Sequence, residues 1–430
     1  MMEGVRELVA LGRRQWWSRS RLEGFQLERL RRLLRHAAAN VPFYRELYGK
    51  AGIDVEEVRT LEDLRRLPVV RREDLQARPQ EELIADGVDP ARVIRTRTSG
   101  STGVPLEILS RRRDRSVFNP SFFRSYLAWG LRPWHRMTYF QARPEKLVER
   151  SWYEPLGIFR RQMLSSLDPP ERSLEAIASW RPHLIHGYSL TLKLLAEAAV
   201  RRGVQVPVPL VASTSGVLDE VGRDLIRRAF GARILDIYAS EEAGSVMAWQ
   251  CPRCEGHHLC LDTVVVEIVR DGRPVGPGEE GAVLVTNLSN FTMPLIRYEQ
   301  GDIVRRSSRE PVCGRGLPLI ESVQGRAGDY VVLTSGRRLT PHPFFLVLDH
   351  ALGVGRWQVV QESLERIVVR VTASATGEPP DRGFIVEGIR RLVGPGVAIE
   401  VEVVERLRDD PSRKLRSVVS RLPESAIGRE

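Results

Sequence analysis

The sequence predicts an α/β chain in two parts. The first is a large N-terminal domain of mixed and parallel sheets covered by helices, spanning 1–326. The second is a small, mobile α+β C-terminal domain, spanning 327–430. Three observations carry this reading. Apolar runs at 184–186, 208–213 and 233–238 alternate with helical patterns at 189–202 and 219–230, as in a parallel sheet with helices on its faces. Residues 263–270 and 281–287 are β-rich and flank Asp271-Gly272 and Gly276-Pro277-Gly278, which makes them antiparallel strands. A glycine-rich break, Gly325-Arg326-Ala327-Gly328, precedes a stretch with strands at 357–360, 366–372 and 398–404, a helix near 383–393, and a hairpin at 331–339 turning at Ser335-Gly336.

In chain order, residues 1–90 read as helices. Leu27, Leu30, Leu33, Leu34, Ala37 and Ala38 recur at helical spacing, and Asn40-Val41-Pro42 ends that run. A second helical stretch surrounds Leu61 and Leu64 and stops near Pro68. At the very start, Glu3, Arg6, Glu7, Arg13 and Arg14 punctuate short apolar stretches, which suits an amphipathic helix and not a secretory signal. With 430 residues, 42% of them hydrophobic and 28% charged, the composition excludes a disulfide-stapled miniature and wholesale disorder. No apolar run reaches the roughly 18 residues of a membrane span. A cytoplasmic protein is expected. The net charge of +10 is spread along the chain, which gives no support to nucleic-acid binding. Positive charge is written almost wholly as arginine, with lysine only at Lys50, Lys146, Lys193 and Lys414. Each lysine therefore marks a place where a compact ammonium has a use of its own.

The segment Thr98-Ser99-Gly100-Ser101-Thr102-Gly103-Val104-Pro105 packs two glycines and four hydroxyl residues into its first six positions, after a β-like run at 92–96. Glycines let backbone approach a polyphosphate, and amides with hydroxyls supply donors. It lacks the Gly-Lys-Ser/Thr ending of common ATPase loops. Thr214-Ser215-Gly216 and Asp236-Ile237-Tyr238-Ala239-Ser240-Glu241-Glu242 each follow a predicted buried strand, where ligands of open α/β sheets lie. Further on come Arg297-Tyr298-Glu299-Gln300-Gly301-Asp302, the break at 325–330, and Pro411-Ser412-Arg413-Lys414. A dense group, Cys251-Pro-Arg-Cys254-Glu-Gly-His257-His258-Leu-Cys260, is joined later by Cys313. Cys-x2-Cys in such a stretch has metal-ligand spacing.

Taken together and in order, these motifs resemble the adenylate-forming superfamily of acyl-CoA synthetases, peptide-synthetase adenylation domains and luciferases. The resemblance is nearest to the phenylacetate–CoA ligase branch and its polysaccharide-locus relatives. His36 to Gly52 and Leu64 to Leu75 match that branch's N-terminal helices. The resemblance implies that Thr98, Ser99, Gly100, Ser101, Thr102 and Gly103 hold ATP phosphates, with Thr102 catalytic. It puts Ser215 and Gly216 at adenine and Tyr238 against its ring. Glu242 becomes a catalytic ligand of Mg²⁺, a cation that prefers hard oxygens. Asp302 accepts from the ribose hydroxyls, and Arg326 joins the nucleotide set at the hinge. Lys414 is the catalytic lysine that stabilises charge as pyrophosphate leaves. Four positions depart from the family pattern: Ala239, Glu241, Gly328 and Arg413.

The same resemblance implies a structural Zn²⁺ on Cys251, Cys254, His258 and Cys313, with Cys260 as the competing fourth ligand. The implied reaction joins a small carboxylic acid, aryl or arylacetic as first guess, to coenzyme A through an acyl-adenylate. Tyr139, Phe140 and Tyr188 are either lining for the acyl group or core. A non-CoA acceptor (amine, sugar or carrier protein) and a non-catalytic nucleotide- or acyl-binding protein are the alternatives. The sequence does not set oligomeric state, and a homodimer is kept open.

Overall fold

The computed structural model describes residues 2–97, 106–141, 153–166, 168–326, 330–334, 338–339, 341–348, 351–374, 378–407 and 417–422. Its helices are α1 (Met2–Arg14), α2 (Arg19–Asn40), α3 (Pro42–Ala51), α4 (Arg72–Gln76), α5 (Gln80–Leu83), α6 (Phe118–Ala128), α7 (Pro170–Trp180), α8 (Ser189–Arg201), α9 (Glu220–Phe230), α10 (Pro341–Leu348) and α11 (Arg382–Val393). Its strands begin with β1 (Ile94–Arg97), β2 (Glu107–Ser110), β3 (Met137–Gln141), β4 (Arg161–Ser165), β5 (Leu184–Tyr188), β6 (Leu210–Thr214), β7 (Arg233–Ser240), β8 (Ser245–Gln250), β9 (His257–Leu259) and β10 (Val264–Arg270). They continue with β11 (Arg273–Pro274), β12 (Glu280–Asn287), β13 (Tyr298–Arg306), β14 (Leu319–Arg326), β15 (Val331–Val332), β16 (Arg338–Leu339), β17 (Val354–Ser363), β18 (Arg366–Ala373), β19 (Ala398–Val403) and β20 (Val418–Ser420). No helix among the described residues is long and apolar enough to cross a membrane.

The chain divides into two compact units. One comprises Met1–Gly130, Leu235–Gln300 and Val304–Val323, and the other Leu131–Ile234, Gly301–Ile303 and Gln324–Glu430. In the first, α2 buries Leu22, Gln26, Leu30, Leu33, Leu34 and Ala37 along one face. Pro42 then opens α3 at a position where its missing N–H costs nothing. That face packs with Tyr44, Val264, Val285 and Leu295 into one core. Strands β10 and β12 pair antiparallel, Val264 opposite Asn287 and Val269 opposite Ala282, and neighbouring strands run β11-β10-β12-β13-β14-β9-β8-β7. The helical stretch expected around Leu61 and Leu64 is a short 3-10 turn, Glu62–Arg66. Asp63 draws the N–H groups of Arg59 and Thr60 into a local turn, and Pro68 disfavours helix at Leu67.

In the second unit, β6, β5, β3 and β4 lie side by side and parallel. Phe140, Ile185 and Val211 point to one face and form a core with Ile177, Leu192 and Ile226 of the helices. Strand parity turns Tyr139, His186 and Tyr188 to the opposite face. Of the three aromatic residues, Phe140 is thus core at 3% exposure, while the Tyr139 ring lies 5.3 Å from that of His186. Helix α9 starts at Asp219, which accepts from the Gly222 N–H and pairs with Lys193 at 2.9 Å. The C-terminal strands run β19-β18-β17-β20, packed on Phe344, Leu348, Ile385 and Ile389 of α10 and α11. Strands β15 and β16 pair antiparallel, and the turn at Ser335-Gly336 is outside the described residues.

One buried ion pair holds α6 to the segment before β10. Arg124 Nη1 donates to both Asp262 oxygens at 2.9 and 2.8 Å, and both side chains are fully buried. Asp262→Ala leaves a guanidinium without its counter-charge and costs about 3–5 kcal/mol, whereas an apolar pair at both positions loses far less. Denaturant midpoints of the single and double variants check this, and equal losses would contradict it.

Candidate functional site

In the first unit the site is built on the turn between β7 and β8. These strands pair antiparallel with a register slip: Tyr238 lies opposite Ala248 and Ala239 opposite Val246, which leaves Met247 of β8 as the extra residue. Gly244 closes the turn at φ +63°, and a Cβ there would lie 2.6 Å from Asn287 Nδ2. Asn287 in turn donates to the Glu242 carbonyl at 3.2 Å. The Ser240 hydroxyl accepts from the Ala243 N–H at 3.0 Å and donates to Gln300 Oε1 at 3.2 Å. The hydroxyl residue of this motif therefore stands one place earlier than the family pattern and serves the turn itself.

The two glutamates of the turn diverge. Glu242 is 5% exposed, and its carboxylate lies 3.6 Å from the Arg72 guanidinium of α4. The Tyr298 phenol also hydrogen-bonds Arg72, and burial, together with the Glu242 charge, holds that phenol well above its ordinary range. Glu241 instead takes Arg115 Nη1 at 2.9 Å. Arg297, the arginine beside Tyr298, is anchored by two bonds to Glu267 at 2.9 and 3.0 Å and by donation to the Arg65 and Leu67 carbonyls. It fixes the segment mechanically and adopts φ +48° to do so.

In the second unit, β6 delivers Ser215 at φ +60° and then Gly216. Ser189, at the start of α8, donates to the Gly216 carbonyl at 2.8 Å and meets the Ser213 hydroxyl at 2.8 Å. Asp302, 8% exposed, follows Gly301 at φ +75°. Arg326 ends β14, with its side chain outside the described set. Thr98, Ser99, Gly100, Ser101, Thr102, Gly103 and Lys414 also lie outside the described residues, as do Gly328 and Arg413. Their flanks are described: β1 and β2 pair with Arg97 opposite Glu107, and Ser417 accepts from the Val359 N–H at 2.8 Å.

Away from this turn, still in the first unit, Cys251, Cys254, His258 and Cys313 converge. Their ligand atoms all lie within 4.8 Å of one another, and Cys313 Sγ is 3.3 Å from His258 Nε2. His258 Nδ1 meets the Leu317 carbonyl at 2.8 Å, so Nδ1 carries the proton and Nε2 presents a lone pair to the cluster. Burial pushes the His258 imidazole down to about 4 and the Cys251 thiol up to about 12. Burial acts upward on Cys313 too, but donation from the Arg315 backbone and side chain overrides it and lowers that thiol. Cys260 stands apart against Arg124 and Trp249, its thiol pushed up to about 12 by burial. All four cysteines are free of disulfides.

Sequence reading missed Arg72, Arg115 and Ser189. Arg72 lay inside the segment read as N-terminal helix, and Arg115 lay outside every motif singled out in the sequence. Their partners are 170 and 126 positions away, so no local pattern marks them.

No protein-family model matches the chain. The phenylacetate–coenzyme A ligase of Thermus thermophilus is 30% identical over 334 residues, covering 73% of this chain and 72% of the relative. Protein CapK of Staphylococcus aureus is 20% identical over 418 residues, covering 92% and 89%. A 2-hydroxyisobutyryl-CoA ligase crystallised in the postadenylation state with 2-HIB-AMP shares the fold, with a TM-score of 0.79, 21% identity and coverage of 96% and 92%. A glutamate turn after a sheet strand, an arginine-anchored strand leading to Asp302, and identity at this level over two thirds of a relative point one way: the chain belongs to the phenylacetate–coenzyme A ligase family of AMP-forming acyl-CoA ligases.

Proposed function

We propose that the protein activates a small carboxylic acid, aryl or arylacetic, and transfers it to coenzyme A. A carboxylate oxygen attacks the α-phosphorus of ATP, the bond to the bridging oxygen breaks, and pyrophosphate leaves. The thiol sulfur of coenzyme A then attacks the acyl carbon of the adenylate, losing its proton, and AMP departs with the electron pair. Residues 98–103, with Thr102, grip the phosphates, and Lys414 stabilises the charge that builds on them. Ser215, Gly216 and Tyr238 receive adenine, Asp302 receives the ribose hydroxyls, and Arg326 belongs to the same set. Tyr139 and Tyr188, on the sheet face opposite the helical core, are the aromatic residues assigned to the acyl group.

The observation that most supports this reading is the turn itself. Glu242 is a nearly buried carboxylate that faces the Arg72 guanidinium at 3.6 Å, too long for a tight bidentate pair. Its oxygens suit Mg²⁺, which when bound would neutralise phosphate charge. Glu242 would hold the ion while Arg72 orients the carboxylate. The cysteine cluster fits Zn²⁺ by its donors: three sulfurs and an imidazole nitrogen with its second nitrogen already bonded. Four protein ligands leave no open position, so the metal would be structural. Four free thiols suit the reducing cytoplasm.

Pyrophosphate exchange with ATP and a panel including phenylacetate, benzoate and 2-hydroxyisobutyrate is expected to give signal with an aryl member, and added coenzyme A to give its thioester. Lys414→Ala is expected to cut exchange by about 10²–10³-fold, the scale of losing one stabilising donor. Undiminished exchange would remove the lysine's role, and release of AMP without thioester would move the acceptor elsewhere. Freshly purified protein is expected to hold about one zinc per chain. Cys313→Ser should lose that zinc and lower Tm, while Cys260→Ser should keep it. Protein free of zinc, or a Cys313→Ser variant with unchanged Tm, would defeat the assignment.

A further inference from the structure

The family pattern has a hydroxyl residue where this chain has Glu241, and a second carboxylate beside Glu242 could be thought to bind metal or to repel phosphates. The geometry assigns it another task. Arg115 Nη1 donates to Glu241 Oε2 at 2.9 Å and to Thr96 Oγ1 at 3.0 Å. One nitrogen therefore spends both of its hydrogens on a bridge from the β7–β8 turn to β1. The guanidinium is steadied from beneath by the Phe118 ring, 4.4 Å from its centroid. Neither end is loose: the side chains of Arg115 and Glu241 are 20% and 29% exposed.

The bridge matters because of what it holds. Among the described residues, strands β1 and β2 form a two-stranded sheet, and such a ribbon is marginal alone. Strand β2 is secured from behind, since Asn290 Nδ2 donates to the Leu109 carbonyl at 2.9 Å and Ile108 and Leu109 are buried. Strand β1 has fewer anchors. Arg95 reaches Gln80 and Glu107 at 2.9 and 2.7 Å from an exposed position. Thr96 has the Arg115 bridge. Thr96 is also two residues before Thr98, where the hydroxyl-rich segment begins.

We propose that Glu241 is a positioning residue that works through Arg115. Its carboxylate holds the guanidinium in place so that β1, the strand that precedes Thr98 in the chain, stays registered on the turn that carries Glu242. This rests on the reading of 98–103 as the ATP phosphate loop. A threonine or serine at 241 is too short and uncharged to hold Arg115, so the acidic residue and the arginine form one unit.

The test joins two readouts in the full-length protein. In pyrophosphate exchange, Glu241→Gln and Arg115→Met are each expected to raise KM for ATP about fivefold with kcat within about twofold, as for loss of one partly exposed pair. The double variant should be no worse than either single one, because both abolish the same ion pair. Arg115→Lys should stay near wild type, since an ammonium can still donate to both oxygens. Without nucleotide, the amides of 94–97 should exchange faster in Glu241→Gln and Arg115→Met but not in Arg115→Lys. Unchanged KM and unchanged amide exchange would overturn the proposal. So would a fall in KM, meaning that the carboxylate repels phosphate, or a shifted Mg²⁺ midpoint, meaning that it binds the metal. Should no acid support exchange in the wild type, the activation reading fails by itself, and the amide measurement still decides whether the bridge holds β1.

Discussion

Two adjacent carboxylates in one tight turn set the electrostatic problem of this site. Glu241 and Glu242 follow each other on the β7–β8 connection, and their mutual repulsion has to be offset. The fold does so by sending them apart, Glu242 inward to Arg72 and Glu241 sideways to Arg115. The backbone is prepared for that divergence. Gly244 turns the chain at a φ that favours glycine, Asn287 grips the Glu242 carbonyl, and Ser240 caps the turn. Arginine suits both partnerships, because its planar fork reaches two acceptors at once and stays charged when desolvated. The near-exclusive use of arginine along the chain is thus consistent with how its buried carboxylates are matched: Asp262 with Arg124 and Glu267 with Arg297 follow the same scheme.

The cysteine cluster is tied into the same unit by a further arginine. Arg315 follows Cys313 by two residues, donates toward its sulfur, and lies between the rings of Trp16 and Trp249 at 4.5 and 5.1 Å. Its Nε donates to Gln15 Oε1 at 2.8 Å, and the Gly316 N–H donates to the Gln15 carbonyl at 3.1 Å. Gly316 leaves no room for a side chain, since a Cβ there would sit 1.9 Å from the Trp17 carbonyl. The end of α1 is therefore docked directly on the loop that supplies the last ligand. The segment after α1 and the loop that bears Cys313 thus share contacts, so a structural metal here would contribute to folding beyond its own loop.

Much of this was legible in the sequence, and the limits are physical. The alternation of apolar runs with helical patterns gave β5, β6, β7, α8 and α9, because buried parallel strands and amphipathic helices each impose a periodicity. The β10–β12 pairing was readable from its turn residues. The division between Tyr139 and Phe140 was not, because neighbours on a strand point to opposite faces and only the register decides which face meets the helices. The preference for Cys254 over Cys260 came from the resemblance, since local spacing leaves both open. Both lie near His258 in the chain, but β9 carries Cys260 past the cluster to Arg124, while Cys254 sits on the loop that folds back. Arg72 and Arg115 were invisible for a different reason: an ion pair across 170 or 126 positions leaves no trace in local composition.

Two of the C-terminal strands are joined by one buried amide. Strand β15 follows the glycine-rich break directly, and β20 follows the lysine segment directly. Gln361 of β17, fully buried, joins them. Its Nε2 donates to the Val332 carbonyl at 2.7 Å, and its Oε1 accepts from the Val332 N–H at 2.9 Å and from the Ser420 hydroxyl at 3.0 Å. A buried amide with these partners is costly to disrupt, because parting either strand would strand a polar group in the core. Val332 lies four positions beyond Gly328, and Ser420 six beyond Lys414. The strand after the glycine-rich break and the strand after the lysine segment are therefore tied to each other through one buried amide of β17.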